Sequence, residues 1–228
     1  QTIRQLAVNL RDLVVVSDQS VIEGEARLNP VQRWFVEGVI ENKHHFNQSV
    51  LLNFPQGISN ETVYLIFEKL QAHHDALRMT FRQKKGEWQQ ENLGLDFPVS
   101  IEERDLRNSE HPASDLLETA EKIQSGIDLN HGPLMKLGMF HMNDGTRLLM
   151  VIHHLITDGL SWRILFEDIA TLYHQTQEDN PLSLPLKTDA YLLWPEKLNE
   201  YCQTSAFQKA SSWWQNFASN KASVITRD

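Results

Sequence analysis

Apolar positions along this chain follow two periods, and the places where one gives way to the other mark its elements. Asn29-Pro30 sets a capping side chain before a proline at the first helical position, and Trp34, Phe35 and Val39 carry that helix onward. Gln48 to Phe54 reads as a strand. Ser59 or Asn60 caps a longer helix in which Val63, Ile66, Phe67, Leu70 and Leu77 keep a near-helical spacing, so one face is buried. Met79-Thr80-Phe81 and the stretch around Trp88 read as strands joined by a Lys85-Gly86 turn. Another helix is predicted from about Ala113 to Ile127, with Leu116, Leu117, Ala120 and Ile123 as its apolar residues, until Asn130-His131-Gly132-Pro133 breaks it. Lys136 to His141 and Arg147 to His153 pair as a hairpin around Asn143-Asp144-Gly145. Leu148-Leu149-Met150-Val151-Ile152 is an apolar run short enough for a buried strand, and a helical pattern with Ser161 as its N-cap follows it. Helices and strands that alternate, with hairpins among them, predict a mixed α/β layer structure. Ahead of all this, Ile3 to Val16 is a short amphipathic segment and Ser17 to Glu25 a polar connector, as for the tail of one unit and a linker into the next.

Composition narrows the class without naming a function. The chain has 228 residues, 41% of them hydrophobic and 22% charged, enough for a substantial core in one large domain or two small ones. A formal net charge of -9 argues against a nucleic-acid or anionic-membrane partner. Cys202 is the single cysteine, so an internal disulfide is excluded and a reducing cytoplasm is the simplest setting. No stretch approaches a transmembrane span, and the first residues lack the apolar centre of a signal peptide. The start at Gln1 instead of methionine suggests a piece of something longer.

Candidate chemistry gathers at one strand end, in His153-His154-Leu155-Ile156-Thr157-Asp158-Gly159-Leu160-Ser161-Trp162. Histidine is the side chain whose ordinary pKa permits proton transfer near neutrality, and a hydrogen bond to one ring nitrogen fixes the lone pair on the other. Asp158 can pair with His154 directly or be tied to an arginine and hold the loop. Gly159 permits a positive φ and close approach of other groups, and the first amides of the following helix point back toward the histidines. Trp162 reads as a core anchor, and Ser161 as a cap more than a nucleophile, which would need an adjacent base and an oxyanion pocket. A metal site from His153, His154 and Asp158 is disfavoured because adjacent strand residues face opposite ways, and no metal is expected. His44-His45 and His73-His74 read as surface or helix-face histidines. Arg78 has a solvated reading too, unless a buried carboxylate such as Asp158 is its partner.

These residues resemble a known family. His153 to Gly159 fits the His-His-x-x-x-Asp-Gly signature of the condensation-type superfamily of nonribosomal peptide synthetases, which is related in fold to chloramphenicol acetyltransferase. The continuation Leu160-Ser161-Trp162-Arg163-Ile164-Leu165 is similar to the epimerization branch. Asn29-Pro30-Val31-Gln32-Arg33-Trp34-Phe35, His45-Phe46-Asn47-Gln48-Ser49 and His74-Asp75-Ala76-Leu77-Arg78 resemble further motifs of that branch, and the matches run through most of residues 27 to 217. Ile3 to Leu13 is similar to the last helix of a carrier domain.

The resemblance implies a chloramphenicol acetyltransferase-like mixed sheet flanked by helices, one lobe of a two-lobed domain. Residues 1–24 would be the end of a preceding carrier domain and a linker, and residues 25–228 the N-terminal lobe with the start of the inter-lobe region. It implies epimerization of an L-aminoacyl or peptidyl thioester held on a carrier's phosphopantetheine arm, with no cofactor of the domain's own. His154 would be the acid/base on one face of the α-carbon, aimed into a solvent-shielded channel. Amides around Gly159 would serve the enolate oxygen. His153, Asp158, Gly159 and Arg78 would be structural, with Arg78 expected to partner Asp158, and Ser161 and Trp162 would lie near the substrate. The expected partners are a peptidyl carrier domain, the second lobe and adjacent synthetase modules. The branch's Glu-Gly-His-Gly-Arg-Glu segment, which supplies the second acid/base, is missing from this sequence, so the chain alone is expected to be inactive. Peptide-bond condensation, with His154 orienting an acceptor amine, and a non-catalytic carrier-docking piece stay open. A free-standing acetyltransferase using coenzyme A lacks a nucleotide-binding stretch.

Overall fold

In the computed structural model, which describes residues 17–96 and 98–219, strands β1 (Gly24–Ala26), β3 (Met79–Lys84) and β4 (Glu87–Asn92) form a small antiparallel sheet ordered β1-β4-β3. Strands β2 (Asn47–Phe54), β5 (Ile101–Asp105), β6 (Met135–Met142) and β7 (Gly145–His153) form the main sheet, β2-β7-β6-β5, antiparallel except for the parallel β5–β6 pair. Six α-helices accompany them among the described residues: α1 (Pro30–Glu37), α2 (Asn60–His73), α3 (Pro112–Ser125), α4 (Gly159–Gln177), α5 (Leu193–Cys202) and α6 (Ser205–Ser219). Mixed sheets flanked by helices are the architecture the sequence predicts.

Burial explains why the sequence reads as it does. From Leu148 to Ile152, β7 has no residue more than 6% exposed, because it is an inner strand covered on both faces and has no solvent side to make polar. The edge strand β2 alternates instead: Leu51 is 46% exposed while Val50 and Leu52 pack on the core. On β6, a Cβ at Gly138 would lie 2.6 Å from Ile123 Cδ1, so glycine lets α3 approach the sheet closely. Val63, Ile66, Phe67 and Leu70 of α2 are all buried in the same core. Asn29 accepts from the Gln32 N–H while the Gln32 side chain accepts from the Asn29 N–H, and the Ser59 hydroxyl accepts from the Thr62 N–H.

The structure departs from the sequence reading in three places. Helix α4 begins at Gly159 with Asp158, not Ser161, as its N-cap, because the Asp158 carboxylate accepts from both the Ser161 N–H and the Ser161 hydroxyl. Leu77 belongs to a 3-10 turn, Asp75–Arg78, beyond the end of α2. The supposed connector is fastened to the lobe. The Ser17 hydroxyl donates to Asp189 (2.7 Å), Gln19 accepts from the Lys187 N–H (2.8 Å), the Ile22 carbonyl accepts from Arg78 (3.1 Å), and Gly24 already pairs with Asn92. The amphipathic segment before it, Ile3 to Val16, lies outside the described residues.

Candidate active site

Strand β7 delivers both histidines. His153, its last residue, pairs with Asn47, and the ladder continues one step as the His154 N–H donates to the Phe46 carbonyl (2.8 Å). Successive strand side chains face opposite ways, so His153 is 0% exposed whereas His154 stands on the open face.

His153 is built into the turn. Its Nε2 donates to the Lys43 carbonyl (2.8 Å) and its Nδ1 accepts from the Leu155 N–H (3.1 Å), which fixes one neutral tautomer. Burial pushes its pKa down to about 4, against the Lys43 carbonyl, which raises it. The unfolded imidazole takes a proton near ~6.5, so the unfolded state binds more protons between the two values. The stabilisation is complete above ~6.5 and is lost as pH falls toward the folded value, by on the order of 3 kcal/mol. Urea unfolding of wild type and a His153→Asn variant should therefore differ most at neutral pH and converge in acid.

His154 is held at both ring nitrogens. Its ring stacks on Phe46 at 5.2 Å and 15°. Nδ1 lies 2.8 Å from the Thr157 carbonyl, which only accepts, so Nδ1 carries the proton and Nε2 the lone pair. That lone pair faces the Gln48 amide nitrogen at 3.2 Å, while the Gln48 Oε1 accepts from the Trp162 indole N–H at 2.7 Å. Trp162 is 8% exposed and packs against Phe166, an anchor with one polar task. Next to Gln48, Asn47 donates to the Gln124 carbonyl and ties β2 to α3.

Three expectations about the neighbours are corrected. Asp158 does not meet Arg78: it is occupied by Ser161, whose N–H and then hydroxyl hold its carboxyl below the usual range. Arg78, 1% exposed, pairs with Asp75 (2.8 Å) and donates to the carbonyls of Leu93, Ile22 and Gln71. Gly159 has no positive φ; it opens α4, and no atom lies within 4 Å of where its Cβ would be. The amides of Leu160 and Ser161 turn to Asp158, so the cap uses donors that the sequence had offered to an enolate oxygen. Asp158→Ala should cost about 1 kcal/mol in urea unfolding. Because the folded carboxyl sits low, that contribution is full above ~4 and fades as pH falls through the folded value.

Among the described residues nothing covers His154 beyond Phe46 on one side of its ring, and the side chain is exposed. Among the described residues, the one group with metal-ligand spacing is His73, His74 and Asp168, whose ligand atoms lie within 4.8 Å of one another. Both histidines are half-buried at the end of α2, His73 as its last residue, which fits the helix-face reading, and His74 already pairs with Asp168 at 2.7 Å, joining the end of α2 to α4. His44 is also structural, its Nδ1 accepting from the Leu129 N–H. Sequence reasoning missed the parts played by Gln48, Thr157 and Phe46. All three lie inside the quoted motifs, Phe46 and Gln48 in one and Thr157 in the other, but nothing in those motifs marks their contacts with the ring.

A family model described as Condensation domain matches residues 22–226. Gramicidin S synthase 1 of Brevibacillus brevis is 38% identical over 216 residues, 94% of this chain and 20% of that protein. Surfactin synthase subunit 1 of Bacillus subtilis (strain 168) is 41% identical over 201 residues, 87% of this chain and 6% of that protein. The crystal structure of the epimerization domain from the third module of tyrocidine synthetase B matches with a TM-score of 0.87 at 37% identity, covering 92% of this chain and 47% of that one. The starter condensation domain of rhizomide synthetase shares the fold, with a TM-score of 0.74 at 15% identity over 87% of this chain and 48% of that one. The chain thus spans about half the length of these solved domains and a small fraction of the curated relatives.

Proposed function

The chain belongs to the condensation-domain family, and on that premise we propose that it is the His154-bearing half of a domain that inverts the α-carbon of an aminoacyl or peptidyl thioester in nonribosomal peptide synthesis. The observation that carries this reading is the Nδ1 contact with the Thr157 carbonyl on an exposed ring, which turns the Nε2 lone pair outward, where only the long Gln48 contact meets it among the described residues. The likeness to the tyrocidine epimerization domain, at an identity well above that of the condensation domain, supports the choice of reaction.

In this mechanism Nε2 takes the Cα proton. The C–H electron pair moves into the enolate of the thioester, and the carbonyl oxygen becomes anionic. The resulting imidazolium keeps its Nδ1–H on the Thr157 carbonyl. A second acid/base, outside this chain, returns a proton to the opposite face, and the reverse sequence uses His154 as the acid. The substrate reaches the site on the phosphopantetheine arm of a peptidyl carrier domain, with neighbouring synthetase modules as further partners. The lobe takes in residues 25–219 with residues 17–24 clasped to it, and the carrier domain would lie ahead of that clasp.

A carrier-bound L-aminoacyl thioester tritiated at Cα tests the proposal. We expect no tritium release from the isolated chain and release on addition of the second lobe. Dipeptide formation with retained tritium would assign condensation instead, with His154 orienting an acceptor amine. Carrier binding with neither reaction in the completed protein would leave only a docking role.

A further inference from the structure

We propose that Gln48 is a positioning residue for His154, and that Trp162 decides which end of the Gln48 amide faces the ring. The inference rests on the reading of His154 as the base. An indole N–H only donates, so Trp162 at 2.7 Å requires the Gln48 oxygen and leaves the Gln48 NH2 directed at Nε2 of His154. With Thr157 requiring Nδ1–H, a single proton assignment satisfies all four groups: the neutral ring with its lone pair on Nε2. Both supports are anchored by secondary structure. Gln48 is paired with Ile152 in the main sheet, and Trp162 lies in the first turn of α4.

Two consequences follow for proton transfer. The ring is fixed at both nitrogens while the lone pair is covered by a bond at the long end of the usual range, 3.2 Å, which a substrate can displace. Once Nε2 is protonated, it would present an N–H to the Gln48 NH2, and Trp162 opposes the amide flip that would relieve the conflict. The Gln48 contact therefore has to give way when Nε2 carries a proton, as it does when a substrate approaches.

The charged groups nearby are engaged elsewhere by hydrogen bonds, although the Asp158 carboxylate also feels the His154 charge. His153 is kept neutral by burial, and Asp158 is turned to Ser161. Arg163 pairs with Glu167, Lys43 donates to the Val36 carbonyl, and His44 accepts from Leu129. His45 is exposed on the same 3-10 turn as Lys43.

Nitrogen NMR of this chain, with labelled histidine at mildly alkaline pH, tests the proposal without any activity. Wild type should show one pyrrole-type nitrogen, Nδ1, and one pyridine-type nitrogen, Nε2, for His154. Gln48→Leu should move the pyridine-type resonance downfield, because its donor is gone. Gln48→Glu keeps an oxygen for Trp162 but offers none of the NH2 donors, and should convert both nitrogens to the pyrrole type. Trp162→Phe should shift the same Nε2 resonance as the amide samples both orientations. If any one variant fails to fold, the remaining two carry the test. An Nε2 resonance unchanged in the folded variants overturns the proposal. In the two-lobed protein, Gln48→Leu should lower kcat for Cα exchange roughly tenfold to a hundredfold with KM little changed, whereas a purely structural role would lower stability and leave Nε2 alone. Absence of exchange in the two-lobed wild type would sink the reading of His154 as a base, yet leave the NMR result standing.

Discussion

His154→Ala should lower Cα exchange in the completed two-lobed protein by roughly 10²–10⁴-fold, the usual contribution of a positioned acid/base. Stability should hardly move, by about 0.5 kcal/mol, because the ring is exposed and fills no cavity in the core. Single-turnover tritium release and urea unfolding of the same preparation read the two quantities. Carrier affinity should persist, since the substitution removes a proton acceptor and leaves the backbone of β7 in place. Exchange that survives within a few-fold would place the base elsewhere. The contrast with His153 sharpens the test: the adjacent imidazole, buried and bonded to backbone on both nitrogens, should lose stability when replaced.

Arg78→Leu should cost about 3–5 kcal/mol, because it breaks a buried ion pair from one side. The guanidinium joins the end of α2, the carbonyl after β4 and the carbonyl of Ile22, besides Asp75. Its removal takes a donor from the carbonyls of Leu93 and Ile22 and, among the described residues, leaves the Asp75 carboxylate to the Lys187 ammonium at 3.5 Å. Against a typical domain stability of about 5–15 kcal/mol, the loss approaches unfolding. Arg78→Lys should recover only part of it, as one ammonium cannot reach all the acceptors of a planar fork. Urea midpoints for both variants check this, and a cost under about 1 kcal/mol would mean that water replaces the guanidinium without strain.

Elements with a buried face were legible in the sequence. The helix from Asn60, the strands around Lys85-Gly86 and the hairpin at Asn143-Asp144 stand where the apolar spacing puts them. Those missed had no such face to show. Strand β1 has three residues, β5 reads Ile-Glu-Glu-Arg-Asp at a sheet edge, and α5 and α6 expose Trp194, Tyr201, Trp213, Trp214 and Phe217. At the site, the opposite facing of His153 and His154 follows from strand geometry alone. The partners do not. Asp158 and Arg78 have matching charges, yet each is satisfied locally, by a helix start and by Asp75, and pairing over 80 positions of sequence cannot be read from charge. Gln48 and Trp162 lie 114 residues apart and meet only because β2 runs beside β7.

The clasp formed by residues 17–24 has a practical meaning for anyone grafting this lobe into another assembly line. A splice made at residue 25 would strip an acceptor from a guanidinium that is 1% exposed, and would remove the first rung of the small sheet. Joints placed upstream of Ser17 keep the short lead-in with its host, and chimeras cut there should express as folded protein where those cut later precipitate.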